Sequence, residues 1–365
     1  MLLYQTGYPG GYAITWDDAA ISAYVLSTND SREVLCDAAA VGVRFQEKLG
    51  SAVYESLQML NTLDSTFSAK LHSTPASVLY ILRGGLNFRG QNACEKLTSV
   101  PANVSFMTSE RSVVSGAVRI TNDKYRKFAL SQASVLLIAD IAATGQTLGN
   151  ALRHVLLGRD SAATPSDIVI VTVGSIFALR SLDETVRQIR SAGSGDQMNV
   201  RVVLLEGAFG IYTEQQNLPY HLNTTDFTRA GGIISPEFLT YSLQNPVSLL
   251  ERCVIYDGGV RGFAPNEHVA ALCEYWTASI KIFDSRPSEL QRHVLTKTGK
   301  GLFAGSKADF LSSLPCWSEL PWEVTSAVYD AASRIDLNSG IDSLRSLCES
   351  HRDNICHLPQ NPGRR

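Results

Sequence analysis

The stretch VLLIADIAATGQTL, residues 135–148, holds four apolar residues, an alanine, one acid, and then a turn of small residues with two threonines and a glycine. Apolar residues without polar alternation mark a strand buried on both faces. Helical spacing follows from Gln146 to Leu157. In an open parallel sheet, ligands gather at the carboxyl ends of strands, where loops and helix N-termini converge. Asp140 stands at such a strand exit. The backbone N–H groups of Ala142, Ala143, Thr144, Gly145, Gln146 and Thr147, with the positive end of the helix dipole, form a cup for a phosphate. The small side chains let the backbone approach an anion, and Thr144 and Thr147 add hydroxyl donors. Donors at one end and a carboxylate for hydroxyls at the other suit a sugar phosphate.

Working outward, Ala76–Leu82, Asp167–Val173 and Val200–Leu205 repeat the short, β-branched pattern. Asn87–Leu97, Gln146–Leu157 and Leu179–Arg190 have helical spacing. The alternation predicts an α/β fold with a parallel sheet covered by helices on both faces. Asp30–Lys70 reads as two helices, and helical stretches recur at Asn266–Trp276, Ser288–Leu295 and Trp322–Ile335. Three parts are therefore expected: an N-terminal helical segment (1–70), a core (71–220) and a mainly helical C-terminal extension (221–365). One piece breaks the alternation. Val104–Phe128 is polar, alternating and rich in Ser and Arg, which reads as a long two-stranded excursion.

The opening stretch resembles the phosphoribosyl-diphosphate (PRPP) signature of the type I phosphoribosyltransferases: four apolar residues, two acids, three variable residues, Thr-Gly, a variable residue and Thr. Upstream, VLYILRGGLNF, residues 78–88, resembles that family's pyrophosphate loop, most like the hypoxanthine-guanine and uracil enzymes. Downstream, GAFGIYTEQQNLPY, residues 207–220, echoes the segment of the purine enzymes that packs on the base. The resemblance spans Ala76–Tyr220. It implies a five-stranded parallel sheet with helices on both faces, under a hood built from the N-terminal helices and the C-terminal extension. It also implies a magnesium-dependent transfer of the 5-phosphoribosyl group to a small-molecule acceptor, with release of pyrophosphate.

In that reading Asp140 and Arg83 are catalytic. Asp140 fixes the ribose, steadies an oxocarbenium-like transition state and meets Mg²⁺ indirectly, through ribose hydroxyls or water. Arg83, Gly84 and Gly85 bind pyrophosphate, and residues 142–147 bind the 5′-phosphate. The excursion stands where such enzymes carry a closing loop. Its Arg111, Arg119, Lys124, Arg126 and Lys127 either meet pyrophosphate oxygens on closure or form a solvated hairpin face. Tyr212, Tyr220, Asp226 and Phe227 lie where an acceptor base would stack and hydrogen-bond, or else pack against the sheet edge.

The departure is Ala139, which occupies the first acid position of the signature. One ribose contact is thereby lost or supplied from elsewhere, and restoring the acid is expected to tighten donor binding. Ala143 likewise stands where some purine enzymes carry an acid that assists at the base. The acceptor is then a nucleobase-like heterocycle or a specialised metabolite. The alternative is a non-catalytic PRPP-sensing regulator on the same fold; a diphosphokinase or hydrolase lacks support because no ATP loop is visible.

Composition bounds the rest. The 365 residues carry 32 basic and 35 acidic side chains, a net charge of −3, with no long run of one sign, so no broad field for nucleic acid or an anionic membrane is expected. No segment reaches the roughly eighteen apolar residues of a membrane span, and the N-terminus lacks a secretory pattern, so a cytoplasmic protein is expected, with a homodimer left open. Seven scattered cysteines, none in a C-x-x-C pair, suggest reduced thiols rather than a disulfide framework or zinc site. Cys348, His351, Cys356 and His357 near the C-terminus read as a polar tail rather than a metal site.

Overall fold

Three strands open the chain, β1 (Leu2–Gln5), β2 (Gly11–Thr15) and β3 (Ser22–Leu26), before the helices α1 (Asn29–Cys36), α2 (Gly42–Leu63) and α3 (Ser65–Ser73). The expected helical N-terminal segment is corrected for these first residues. Tyr12 and Ile14, then Ala23 and Val25, are buried in alternation, the period of a strand rather than a helix. The computed structural model describes residues 1–114, 117–131, 134–158, 164–193, 198–212, 226–245, 247–251, 258–291, 306–334 and 341–358.

The core follows as β4 (Ala76–Leu82), a 3₁₀ turn (Gly84–Phe88), α4 (Gly90–Thr98), β5 (Asn103–Thr108), β6 (Glu110–Val114), β7 (Ala117–Asn122), β8 (Arg126–Lys127), β9 (Val135–Ala142), α5 (Gln146–Leu157), β10 (Asp167–Ser175), α6 (Ile176–Ser191) and β11 (Asn199–Ile211). Every residue of β10 is buried, as are the first six of β4 and the first five of β9. Each large apolar side chain so enclosed contributes roughly 1.5–3 kcal/mol. Three strands outrun their apolar runs at the carboxyl end, because the ladder continues through Asp140, Gly174 and Gly207 after the apolar pattern has stopped.

The main sheet has ten strands of mixed orientation, in the order β1-β2-β3-β11-β10-β9-β4-β5-β8, with β12 (Phe227–Ile234) also on β11. The six from β3 to β5 are parallel, and β1, β2, β8 and β12 pair antiparallel. The expected five-stranded parallel sheet is thus corrected to a larger mixed one, since the N-terminal meander and β12 extend it. The Ser/Arg-rich excursion is β5, the separate hairpin β6–β7, and β8.

The winding positions the site. From β4 the chain steps outward to β5, then returns to lay β9 on the other side of β4 and moves away through β10 and β11. With crossovers of one hand, the helices after β4 and β9 lie on opposite faces. The switch point, the crevice position where ligands of open α/β sheets bind, therefore falls between the carboxyl ends of β4 and β9.

After β12 the chain is mainly helical: α7 (Pro236–Gln244), α8 (Val247–Leu250), α9 (Gly258–Phe263), α10 (Pro265–Ser285), and helices at Lys307–Ser313, Trp322–Ser333 and Ile341–Cys356. Residues 287–291 are helical, and 292–295 and Ile335 lie outside the described residues. The reading of the cysteines as thiols is corrected for one pair, because Cys273 and Cys356 form a disulfide that ties α10 to the last helix. Cys36, Cys94, Cys316 and Cys348 are free, and Cys253 lies outside the described residues. His351 packs edge-on to Trp276, with Nε2 3.4 Å from Glu251. Among the described residues no three His, Cys, Asp or Glu side chains gather as a metal cage, and no helix is long and apolar enough to cross a membrane.

Candidate functional site

The two motif loops meet over the crevice floor. A Cβ built on Gly84 would lie 3.2 Å from Oδ1 of Asp140, and one on Gly85 only 2.8 Å from the carbonyl oxygen of Ala139. Any side chain at residue 85 would therefore push β4 and β9 apart, which gives the Gly-Gly pair a physical reason. Arg83, joined to Leu82 by a cis peptide, is exposed at the head of the turn. Asp140 is half-buried at the end of β9.

Beyond Asp140 the chain leaves β9 and turns through residues 143–145 into α5, and the glycine of that turn has a reason of its own. Gly145 has φ +76°, and a Cβ there would fall 3.0 Å from the carbonyl oxygen of Ala178 and 3.1 Å from its Cα. The glycine is needed for a left-handed turn packed on α6, and the space it leaves is taken by α6 rather than held open for an anion. Gly145 makes no side-chain cap for α5, so the first-turn N–H groups keep the orphan donors of a helix N-terminus. Thr147 is almost buried in that turn. Thr144 Oγ1 and Gln146 Oε1 are buried without a hydrogen-bond partner among the described residues. Orphaned polar atoms at an uncapped helix start fit a polar ligand, since such groups cost free energy when left unmet.

Two further residues complete the cup. Ser175, at the end of β10, donates its hydroxyl to the carbonyl of Ala143 and accepts the N–H of Ala178 at 3.0 Å. One side chain thus pins the cup to β10 and caps α6. Ala143, the position of the base-assisting acid in some purine enzymes, is nearly buried and engaged through its backbone. Thr172 lies beside Asp140 in the β9–β10 register, and its buried hydroxyl has no hydrogen-bond partner among the described residues. Ser175 was legible as a serine before an apolar helical run, an N-cap signal; Thr172 left no signal, because only strand register brings it to Asp140.

Ala139 is 2% exposed. Successive strand residues face opposite sides, so its side chain lies in the core rather than beside Asp140. The expectation that an acid at 139 would simply rejoin the crevice is corrected accordingly.

The excursion leaves the carboxyl end of β5, the strand next to β4, and so rises beside Arg83. Arg126 is engaged by Asp123 at 3.7 Å and by the His154 ring at 3.2 Å, which ties the base of the excursion to α5. His154 Nε2 also lies 2.5 Å from Asp123, and this hydrogen bond holds the Asp123 carboxyl below its ordinary range. Lys124 and Lys127 are exposed. The side chains of Arg111 and Arg119 lie outside the described residues.

Three of the expected acceptor residues, Tyr212, Asp226 and Phe227, meet at the β11–β12 end, but all three are buried there. Phe227 is buried in the core, stacked on Phe209 with centroids 5.8 Å apart. Tyr212 and Asp226 are also buried, joined by a backbone hydrogen bond of 2.8 Å at the β11–β12 end. Tyr220 lies outside the described residues. Phe177, two residues past Ser175, is by contrast 54% exposed.

No protein-family model matches the chain, and no curated protein does. Among solved structures, the AQ2163 protein from Aquifex aeolicus is 16% identical with a TM-score of 0.37, over 56% of this chain and 91% of that one. A hypoxanthine phosphoribosyltransferase from Staphylococcus aureus is 21% identical with a TM-score of 0.24, over 34% and 63% of the two chains. The hypoxanthine-guanine phosphoribosyltransferase of L. donovani is 18% identical with a TM-score of 0.27, over 44% and 83%.

Proposed function

We propose that the crevice binds PRPP and that the protein transfers its 5-phosphoribosyl group to a small-molecule acceptor, releasing pyrophosphate. One observation carries this reading: the Gly84–Gly85 turn closes on Ala139 and Asp140 at the switch point of the sheet, so the two donor-motif loops form one site. The 5′-phosphate takes the uncapped start of α5, with Thr144 and Thr147 as hydroxyl donors. The diphosphate takes the turn after β4, where Arg83 supplies positive charge for the departing pyrophosphate. The ribose then lies over Asp140. The carboxylate accepts its hydroxyls and faces C1, where positive charge develops as the glycosidic bond to pyrophosphate breaks. Binding energy at the phosphate end orients that centre.

Magnesium, carried in by the diphosphate, would supply charge neutralisation on the leaving group. Without a protein cage for it among the described residues, Asp140 fits as a contact through ribose hydroxyls or water. For the acceptor, Phe177, exposed two residues past Ser175, replaces buried Phe227 as a stacking face.

The second reading, a PRPP sensor without turnover, is favoured by Ala139, a buried methyl at the first acid position of the signature, which leaves Asp140 as its single acid. Asp140→Asn separates the two. In an enzyme, product formation from PRPP and a metabolite extract, followed by mass spectrometry of a new ribose-phosphate adduct, falls about a hundredfold or more while donor affinity changes little. A wild-type protein that binds the donor and forms no adduct is the sensor.

A further inference from the structure

The C-terminal part of the chain reaches back to the donor site through one close contact. A Cβ built on Gly262, in α9, would fall 2.0 Å from Oδ1 of Asn87, 2.7 Å from its Cγ and 2.9 Å from its Nδ2. Asn87 belongs to the 3₁₀ turn that continues from Gly84 and Gly85, and it is fully buried. Its short side chain also accepts a hydrogen bond from Gln46 Nε2 of α2 at 3.1 Å, so α2 and α9 hold it from two sides.

Nor is α9 free to retreat. The neighbouring Arg261, 2% exposed, donates to the carbonyls of Val34, Asp37 and Ala40 and lies 4.5 Å over the ring of Phe45. Those carbonyls belong to α1 and the α1–α2 connection, and Phe45 to the start of α2. Three hydrogen bonds from one buried guanidinium to main-chain oxygens fix α9 to the N-terminal helices.

We infer that α9 is a clamp on the pyrophosphate half of the site: Gly262 seats Asn87, and Asn87 is a positioning residue that holds the Arg83–Gly85 turn against β9. The inference rests on the donor-site reading above and gives the C-terminal extension a part in it. The line of contact runs from α9 through Asn87 and the 3₁₀ turn to Gly85, whose own tight approach to Ala139 leaves no slack to absorb a shift. The 5′-phosphate cup lies on the other strand, pinned independently by Ser175. A disturbance at Gly262 should therefore reach one half of the donor and not the other.

The test is a pair of titrations on the full chain, one with pyrophosphate and Mg²⁺ and one with ribose 5-phosphate, for the wild type and Gly262→Ala. The clamp predicts that pyrophosphate affinity falls about tenfold or more, as small misplacements of a positioning group do, while ribose 5-phosphate affinity stays within about twofold. Asn87→Ser, which removes the seat without crowding α9, should show the same selective loss and serves should Gly262→Ala not fold. Unchanged affinities, or losses of equal size for both ligands, overturn the clamp while leaving the donor site standing. A folded wild-type protein that binds neither ligand overturns the donor-site reading and the clamp with it.

Discussion

Gly85 and Ala139 meet backbone to backbone: the place a Cβ would take on Gly85 lies 2.8 Å from the carbonyl oxygen of Ala139. The two motif loops therefore share one wall, and the wall has no room for a methyl group. Gly85→Ala should force the turn after β4 off β9 and weaken PRPP binding about tenfold or more, measured by calorimetric titration in Mg²⁺. An unchanged affinity in a folded variant would show that the two loops do not act as one site.

Ala139→Asp tests which way that residue faces. Its neighbours Ile138 and, across the ladder, Val171 are fully buried, so the new carboxylate would enter the core without a partner. The expected result is a loss of stability of several kcal/mol, read as a lower midpoint in urea unfolding. A variant of undiminished stability that binds PRPP more tightly would place residue 139 in the crevice after all.

Glu206 gives the fold a pH dependence of definite sign. Its fully buried carboxyl accepts the N–H of Thr28 at 2.9 Å and the hydroxyl of Ser235 at 2.8 Å, and is hydrogen-bonded to the Ser31 hydroxyl. It thereby joins the N-terminal residues that cap α1 and α7. Burial pushes it up from an ordinary 4.5 to about 7, against the attraction of Arg32 and these hydrogen bonds. A raised acid holds its proton more tightly when folded, so between pH 4.5 and 7 the native state binds more protons than the unfolded state, and stability falls as pH rises. The contribution is complete below about pH 4.5 and is lost through about pH 7, on the order of 3 kcal/mol. Glu206→Gln, which stays neutral, should flatten the decline in unfolding free energy between pH 5 and pH 8. Parallel pH profiles for the two proteins would refute the assignment.

Local features of the chain announced the parallel strands of the core and the turn into α5. The apolar runs of β4, β9, β10 and β11 read as strands because both their faces are buried. The helix starting at Gln146 read correctly because a glycine and small residues precede it. What escaped the reading depends on partners distant in sequence. The strands β1–β3 are short and half-polar, and gain their identity from pairing with one another and, through β3, with β11. The Cys273–Cys356 bond spans 83 residues, with no spacing pattern to reveal it. Phe227 read equally as an acceptor face or as core, and only its stacking on Phe209 decides for the core. Nothing near Gly262 in the sequence points to Asn87; the contact exists because Arg261 fixes α9 to the N-terminal helices.

The central claim is that the crevice between β4 and β9 is a PRPP site, and the most direct measurement is calorimetric titration of the wild-type protein with PRPP in Mg²⁺. Saturable binding at one site per chain is expected, displaced by pyrophosphate through the Arg83–Gly85 turn and by ribose 5-phosphate through the Thr144–Thr147 cup. No binding heat from a folded protein, across temperatures that would expose a heat of zero by chance, would contradict the account.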